Sequence, residues 1–165
     1  GKKISGWWFD SCYSLDPRGP NRSVSTDLGN WQFPWEALSA AVKAGNPDAA
    51  VAFNAGIDAY FRYSMHQDYH AGETVDLKHP PTETAFSGDG MREHRWTCVD
   101  DLYWGYNQAE MSFAEPLYTD EQLIDFLRIM RSKKAMTTFN MQITQEGIIN
   151  PEALAQFTRV VRKIS

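Results

Sequence analysis

Ile4-Ser5-Gly6-Trp7-Trp8-Phe9-Asp10 is an apolar run that stops at a carboxylate, and Ser11-Cys12-Tyr13 then opens a long polar stretch. Short apolar runs bounded by turn residues are the pattern of strands buried on both faces. Residues 49–54 have the same form. Between the two lies a helical pattern that starts at Pro34, where the missing N–H costs nothing. It carries Trp35, Leu38, Ala41 and Val42 on one face and stops at Gly45-Asn46-Pro47. Strand, helix and strand in that order make a βαβ unit.

The far end of the chain repeats the alternation. Thr119-Asp120-Glu121-Gln122 is a capping-box pattern, followed by Leu123, Ile124, Leu127 and Met130 as an apolar stripe and by cations toward residue 134. An apolar run at 135–141 comes next. A third helix then opens at Asn150-Pro151, with a stripe of Leu154, Phe157, Val160, Val161 and Ile164. Residues 69–73 and 95–99 are weaker strand patterns, whereas 11–33 and 74–94 read as loops. Loops of that length in a compact domain are usually functional. Alternating elements imply an α/β fold with a parallel sheet and functional residues at the C-terminal strand ends.

The 165 residues fit one domain, and 42% hydrophobic with 22% charged residues is globular composition that excludes a disordered chain. No apolar run approaches the roughly 20 residues that cross a bilayer, so no membrane partner is expected. Sixteen Lys and Arg against 21 Asp and Glu leave a net charge of −5, which argues against nucleic-acid binding through phosphate contacts. Cys12 and Cys98 have no zinc-ligand spacing and are expected as buried free thiols. The opening residues lack a signal peptide's charged and apolar regions. A chain that opens inside a strand is the expectation for a fragment or for a natural half-length protein.

Several strand patterns end in acids or amides: Asp10, Asn54, Glu73, and the pair Asp100 and Asp101. Each could cap a turn, but their recurrence points to an active-site rim. Paired carboxylates are the minimum equipment of a glycosidase, one as nucleophile and one as acid/base. Asp10 with Glu73 is the preferred pair; Glu93, Asp100, Asp101 and Glu110 compete for the second role. Trp7, Trp8, Tyr13, Tyr69, Trp96, Trp104 and Tyr106 crowd the same stretches, where aromatic faces would stack on sugar C–H groups or simply pack a core. A competing reading takes His66, Asp68 and His70, two residues apart on one extended face, as ligands for a divalent metal in a hydrolase. His79 and His94 stand alone in a polar loop. No dinucleotide or Walker fingerprint occurs, so no cofactor is expected.

These stretches resemble a known family. The run from Gly6 to Tyr13 is similar to the strand-end motif of α-L-fucosidases and related glycoside hydrolases, which carries their nucleophile. Asp68-Tyr69-His70-Ala71-Gly72-Glu73 resembles the family's segment ending in Glu. Arg95-Trp96-Thr97-Cys98 with Trp104-Gly105-Tyr106, and Phe139-Asn140-Met141 with Glu146-Gly147-Ile148-Ile149, follow in the family's order. The resemblance implies a (β/α)8 barrel hydrolase that retains configuration, with Asp10 as nucleophile and Glu73 as acid/base. It also implies a carbohydrate substrate, with Trp8, Tyr13, Asn54, His70, Trp96 and Trp104 in contact with the sugar. Ser11 stands where the family has glycine. A whole barrel needs at least about 200 residues, so residues 1–165 are expected to form one partial domain, the later half of a TIM-type barrel. Its open sheet edges would be closed by self-association into a homo-oligomer. The alternative is a non-catalytic carbohydrate-binding or assembly module.

Overall fold

The computed structural model describes residues 3–12, 33–100, 106–107 and 112–164. Strand β1 (Gly6–Phe9), helix α1 (Trp35–Lys43) and strand β2 (Ala50–Phe53) form the expected βαβ unit. The two strands pair in parallel, from Gly6 with Ala50 to Phe9 with Phe53. Helix α1 lays Leu38 and Val42 over Val51 and Phe53, with Trp35, Phe9 and Tyr63 completing that cluster. Its N-terminus takes Pro34 as cap residue, which offers no side-chain hydrogen bond.

Strand β3 (His94–Cys98) comes next, then β4 (Tyr106–Asn107), helix α2 (Asp120–Ser132), β5 (Met136–Asn140), β6 (Ile143–Thr144) and helix α3 (Pro151–Ile164). β3 pairs with β5 and β4 with β6, all in parallel. The capping box is present: Thr119 accepts from the Gln122 amide while the Gln122 side chain accepts from the Thr119 amide. Helices α2 and α3 bury Leu123, Ile124, Ala153 and Val160 with Val99, and Phe139 of β5 packs beneath them. Full burial of a Leu side chain stabilises by about 1.5–3 kcal/mol, so Leu123, with no exposed surface, anchors this layer.

The buried line of α3 differs from the expected stripe. Ala153, Gln156 and Val160 are inside, whereas Leu154 and Val161 are 45% and 37% exposed. Gln156 takes an inward place because its side chain donates to the Tyr118 carbonyl at 2.6 Å. The short β4–β6 pairing has no counterpart in the sequence patterns.

Residues 68–74 run extended between β2 and β3. The Asp68 amide donates to the Val51 carbonyl at 2.8 Å, and the Trp96 amide to the Gly72 carbonyl at 2.8 Å. Only isolated parallel bridges form here, Tyr69 with Arg92 and Glu73 with Trp96. Gly72 is the reason the run is not a regular strand. Its φ is +71°, and a Cβ there would lie 2.1 Å from the His94 carbonyl oxygen. Only glycine lets the two backbones approach this closely.

Strand alternation sorts the side chains onto two faces. Helices cover one. The other carries Gly6, Trp8, Ala50, Tyr69, His94, Trp96, Met136 and Thr138 around an open trough of about 800 Å³. The architecture is therefore mixed α/β with short parallel strands. No helix among the described residues is long and apolar enough to cross a membrane.

Candidate active site

Asp10 and Asn54 are the first residues past the C-terminal ends of β1 and β2. Continuing the register of Phe9 with Phe53 puts them side by side, on the trough face, two residues beyond Trp8 and Ala52. Glu73 reaches the same rim from the 68–74 segment, bridged to Trp96. Asn54 joins the three: its Nδ2 donates to Asp10 Oδ1 at 2.9 Å and to Glu73 Oε2. Two acceptors bonded to one nitrogen are close neighbours.

The two carboxylates sit in different environments. Asp10 is exposed and its Oδ1 accepts the Ser11 amide at 2.7 Å. Ser11 itself has a φ of +59°, a conformation that suits glycine, the residue the resemblance expects there. Glu73 is half-buried, and its pKa is raised. Burial is the main cause; the charges of Asp10 and Asp58 add to it, and the Asn54 hydrogen bond opposes it. One exposed acid beside one acid biased toward its protonated form can divide nucleophile and proton-donor roles.

The aromatic lining sits below this rim. Trp8 donates its indole N–H to the Ala71 carbonyl at 3.0 Å and meets Trp96 edge-on at 4.4 Å. Both are half-buried in the trough wall. Tyr13 and Trp104 lie outside the described residues, as do the competing acids Asp101 and Glu110.

His70 is not brought to the carboxylate pair. It is 1% exposed and lines a second cavity of about 630 Å³, on the face opposite to its neighbour Tyr69. Its ring nitrogens face Glu93 at 3.4 Å and Asp89 at 3.2 Å. Burial pushes its pKa down, but the two carboxylates outweigh that and leave it raised. Glu93 also accepts from Arg95 at 2.8 Å, so this acid belongs to a buried ion network. Asp100, 1% exposed, accepts from the Gln142 amide and from the Asn150 side chain at 2.9 Å and locks the turn before α3.

The metal-ligand reading is not supported by the geometry. His66 lies in a turn, Asp68 pairs with Lys43 at 2.9 Å, and His70 is enclosed by Asp89 and Glu93. Among the described residues, no cluster of three or more His, Cys, Asp or Glu forms a metal site. Both cysteines are buried and free, and burial pushes the Cys12 thiol up to about 11.

His94 is the residue that sequence reasoning missed. Rather than standing in a loop, it opens β3 and is 4% exposed. Its Nδ1 meets the Ala71 carbonyl at 2.9 Å and its Nε2 the Thr138 hydroxyl at 2.9 Å. Burial lowers its pKa to about 4. The signal available was the alternation His94, Trp96, Cys98, obscured by Glu93 and Arg95 on either side of His94.

The fold is similar to part of the fold of solved glycoside hydrolases, an α-L-fucosidase among them. An endo-fucoidan hydrolase of glycoside hydrolase family 107, MfFcnA9, matches 95% of this chain with a TM-score of 0.69 at 18% identity, over 32% of its own chain. A histidine-to-glutamine variant of a second such enzyme, MfFcnA4, matches 95% at 0.69 and 19% identity, over 27% of its chain. The α-L-fucosidase isoenzyme 1 of Paenibacillus thiaminolyticus matches 98% at 0.59 and 18% identity, over 34% of its chain. The chain thus spans about a third or less of the length of these structures. No family model and no curated protein sequence matches it.

Proposed function

We propose that this chain is a glycoside-hydrolase-type domain acting on a fucoside-like glycan with retention of configuration. The observation that carries the proposal is the pair of acids, Asp10 past the end of β1 and Glu73 on the 68–74 segment, joined by the one buried amide of Asn54. Two acids bonded to one nitrogen are close neighbours, which suits a retaining pair, spaced about 5–5.5 Å, better than an inverting one that keeps about 6.5–9.5 Å for a water. In the first step Asp10 attacks the anomeric carbon. A glycosyl–Asp10 ester bond forms as the glycosidic C–O bond breaks, and the departing oxygen takes the proton of Glu73. In the second step water attacks the same carbon, gives its proton to the Glu73 carboxylate, and Asp10 leaves. The raised pKa of Glu73 favours the protonated form that the first step needs.

We also propose that the parallel strands are the later half of a barrel, and that a second copy closes the trough. The apolar lining of Trp8, Trp96 and Met136 along the uncovered sheet face supports this. Light scattering with an aryl-glycoside panel on one sample tests both ideas. A dimer that turns over an aryl α-L-fucoside, with Asp10→Asn losing on the order of 10³-fold or more in kcat, supports them; unchanged turnover in Asp10→Asn refutes the hydrolase reading. A monomer refutes closure by a second copy. Sugar binding without turnover, surviving Asp10→Asn, identifies a binding module.

A further inference from the structure

We propose that Asn54 is a positioning residue: it fixes Asp10 and Glu73 at one separation and leaves Asp10 Oδ2 and Glu73 Oε1 as the reacting oxygens. This rests on the reading of the two acids as a catalytic pair. The sequence suggests that Asn54 touches sugar, but it has no exposed surface. Its amide is also fully used. A side-chain amide has two N–H hydrogens, and here they go to the two carboxylates. Its Oδ1 accepts the Gly56 amide at 3.1 Å. That last bond fixes the orientation, since a flipped amide would face two carboxylates with its oxygen and Gly56 with its N–H groups.

The consequence is an assignment at the level of atoms. Asp10 Oδ1 receives two donors, the Asn54 amide and the Ser11 N–H. Its lone pairs are engaged, whereas no described residue donates to Oδ2. Attack on an anomeric carbon therefore falls to Oδ2. On Glu73, Oε2 is the acceptor for Asn54, which excludes the acid proton from that side of the carboxyl group and places it on Oε1. Both assignments follow from one nitrogen lying between the acids, so the free oxygens of the two point away from Asn54.

The test reads the acids without any sugar. Carbon-13 NMR follows the Glu73 carboxyl through a pH titration in the native chain, in Asn54→Ala and in Asp10→Asn. In Asn54→Ala the Glu73 midpoint rises, because the donor that favours its charged form is gone. An unchanged midpoint in a folded Asn54→Ala chain overturns the proposal. Should that variant fail to fold, Asp10→Asn, at an exposed position, decides the matter: the Glu73 midpoint falls if Asp10 is held beside it, and stays put if it is not. A purely structural Asn54 would leave the Glu73 midpoint unmoved in Asn54→Ala. If both shifts appear in a chain with no turnover, the positioning stands and the hydrolase reading alone fails.

Discussion

Gly72→Ala is the sharpest test of how Glu73 is held in place. A Cβ at Gly72 would stand 2.1 Å from the His94 carbonyl oxygen, 2.7 Å from its carbon and 3.1 Å from the Arg95 Cα, all backbone atoms of β3. No rotamer can relieve that, so the 68–74 segment must move away from β3. The Trp96 and Thr74 amides then lose their acceptors across the gap, at 2.8 and 2.9 Å in the native chain. Overpacking costs about 1–3 kcal/mol, two weakened hydrogen bonds about 1 kcal/mol each, and the positive φ about 1 kcal/mol more. A total of about 4–6 kcal/mol lowers Tm by about 12–18 °C for a chain of this size. Gly147→Ala is the matched control. Its φ is +83° with nothing within 4 Å of the added Cβ, so it bears the backbone cost alone, about 1 kcal/mol. Urea unfolding of the two variants against the native chain reads the difference. Equal midpoints for Gly72→Ala and Gly147→Ala would refute the claim that close packing on β3, rather than the turn conformation, requires glycine at residue 72.

Three further outcomes follow from named contacts. Thr119→Ala removes one arm of the α2 capping box and costs about 1 kcal/mol, read as a lower urea midpoint with unchanged slope. Arg95→Met leaves the Glu93 carboxylate, 4% exposed as a residue, without its guanidinium partner at 2.8 Å and costs about 3–5 kcal/mol by the same assay. His94, with its pKa lowered to about 4 by burial, resists a proton that the unfolded chain takes up near pH 6.5. Stability therefore falls as pH drops below about 6.5, by about 3 kcal/mol once pH 4 is reached. Unfolding free energies between pH 5 and 6.5 should slope in the native chain and flatten in His94→Gln. His70 acts in the opposite sense and in another window. Its raised pKa gives stability that is fully present below about pH 6.5 and is lost as pH rises through the folded value.

The parallel α/β pattern was legible because it is written in local periodicity. Residues 6–9, 50–53 and 136–140 are apolar runs between turn residues, and the Thr119 cap announces itself three residues ahead of Gln122. Asp10 and Glu73 could be paired from the sequence, but neither their distance nor what joins them could be read there. Their meeting depends on Asn54, which in sequence is only an amide following Ala50-Val51-Ala52-Phe53. His70 misled because alternation cannot be read where a run is only four or five residues long and both faces carry polar groups. It turns to the face of Asp89 and Glu93, and Tyr69 takes the trough. The α3 stripe failed for a related reason. Gln156 is inside with its N–H on the Tyr118 carbonyl, and no hydrophobic pattern anticipates a buried polar side chain held this way.

The two acids stand on separately anchored pieces of the fold. Asp10 and Asn54 extend a regular parallel pair backed by α1, so apolar packing sets their positions. Glu73 rides on a segment with only isolated bridges among the described residues. That segment is held by polar contacts at three places. At its start Asp68 accepts from the Val51 amide and from Lys43, both at 2.9 Å. In its middle His70 lies between Asp89 and Glu93, and Arg95 pairs with Glu93; the raised pKa of His70 favours the protonated form that balances the second carboxylate. At its end the Asp58 amide donates to the Glu73 carbonyl at 2.8 Å. The anchor holds its geometry only while each charge keeps its partner, and the charges of exposed Asp89 and buried Glu93 are lost in acid. The pKa of Asp89 is lowered to about 2, and the stability this gives is present above its unfolded value near 3.9 and lost as pH falls toward 2. Loss of the His70 proton undoes the same anchor on the alkaline side. The segment carrying Glu73 should therefore loosen at both ends of the pH range before the β1–β2 pair does. Amide exchange at Glu73 and Thr74, compared with Ala50 and Asn54, whose amides donate to the Ser5 and Phe9 carbonyls of the β1 chain, would show that order across pH, and equal protection throughout would refute it.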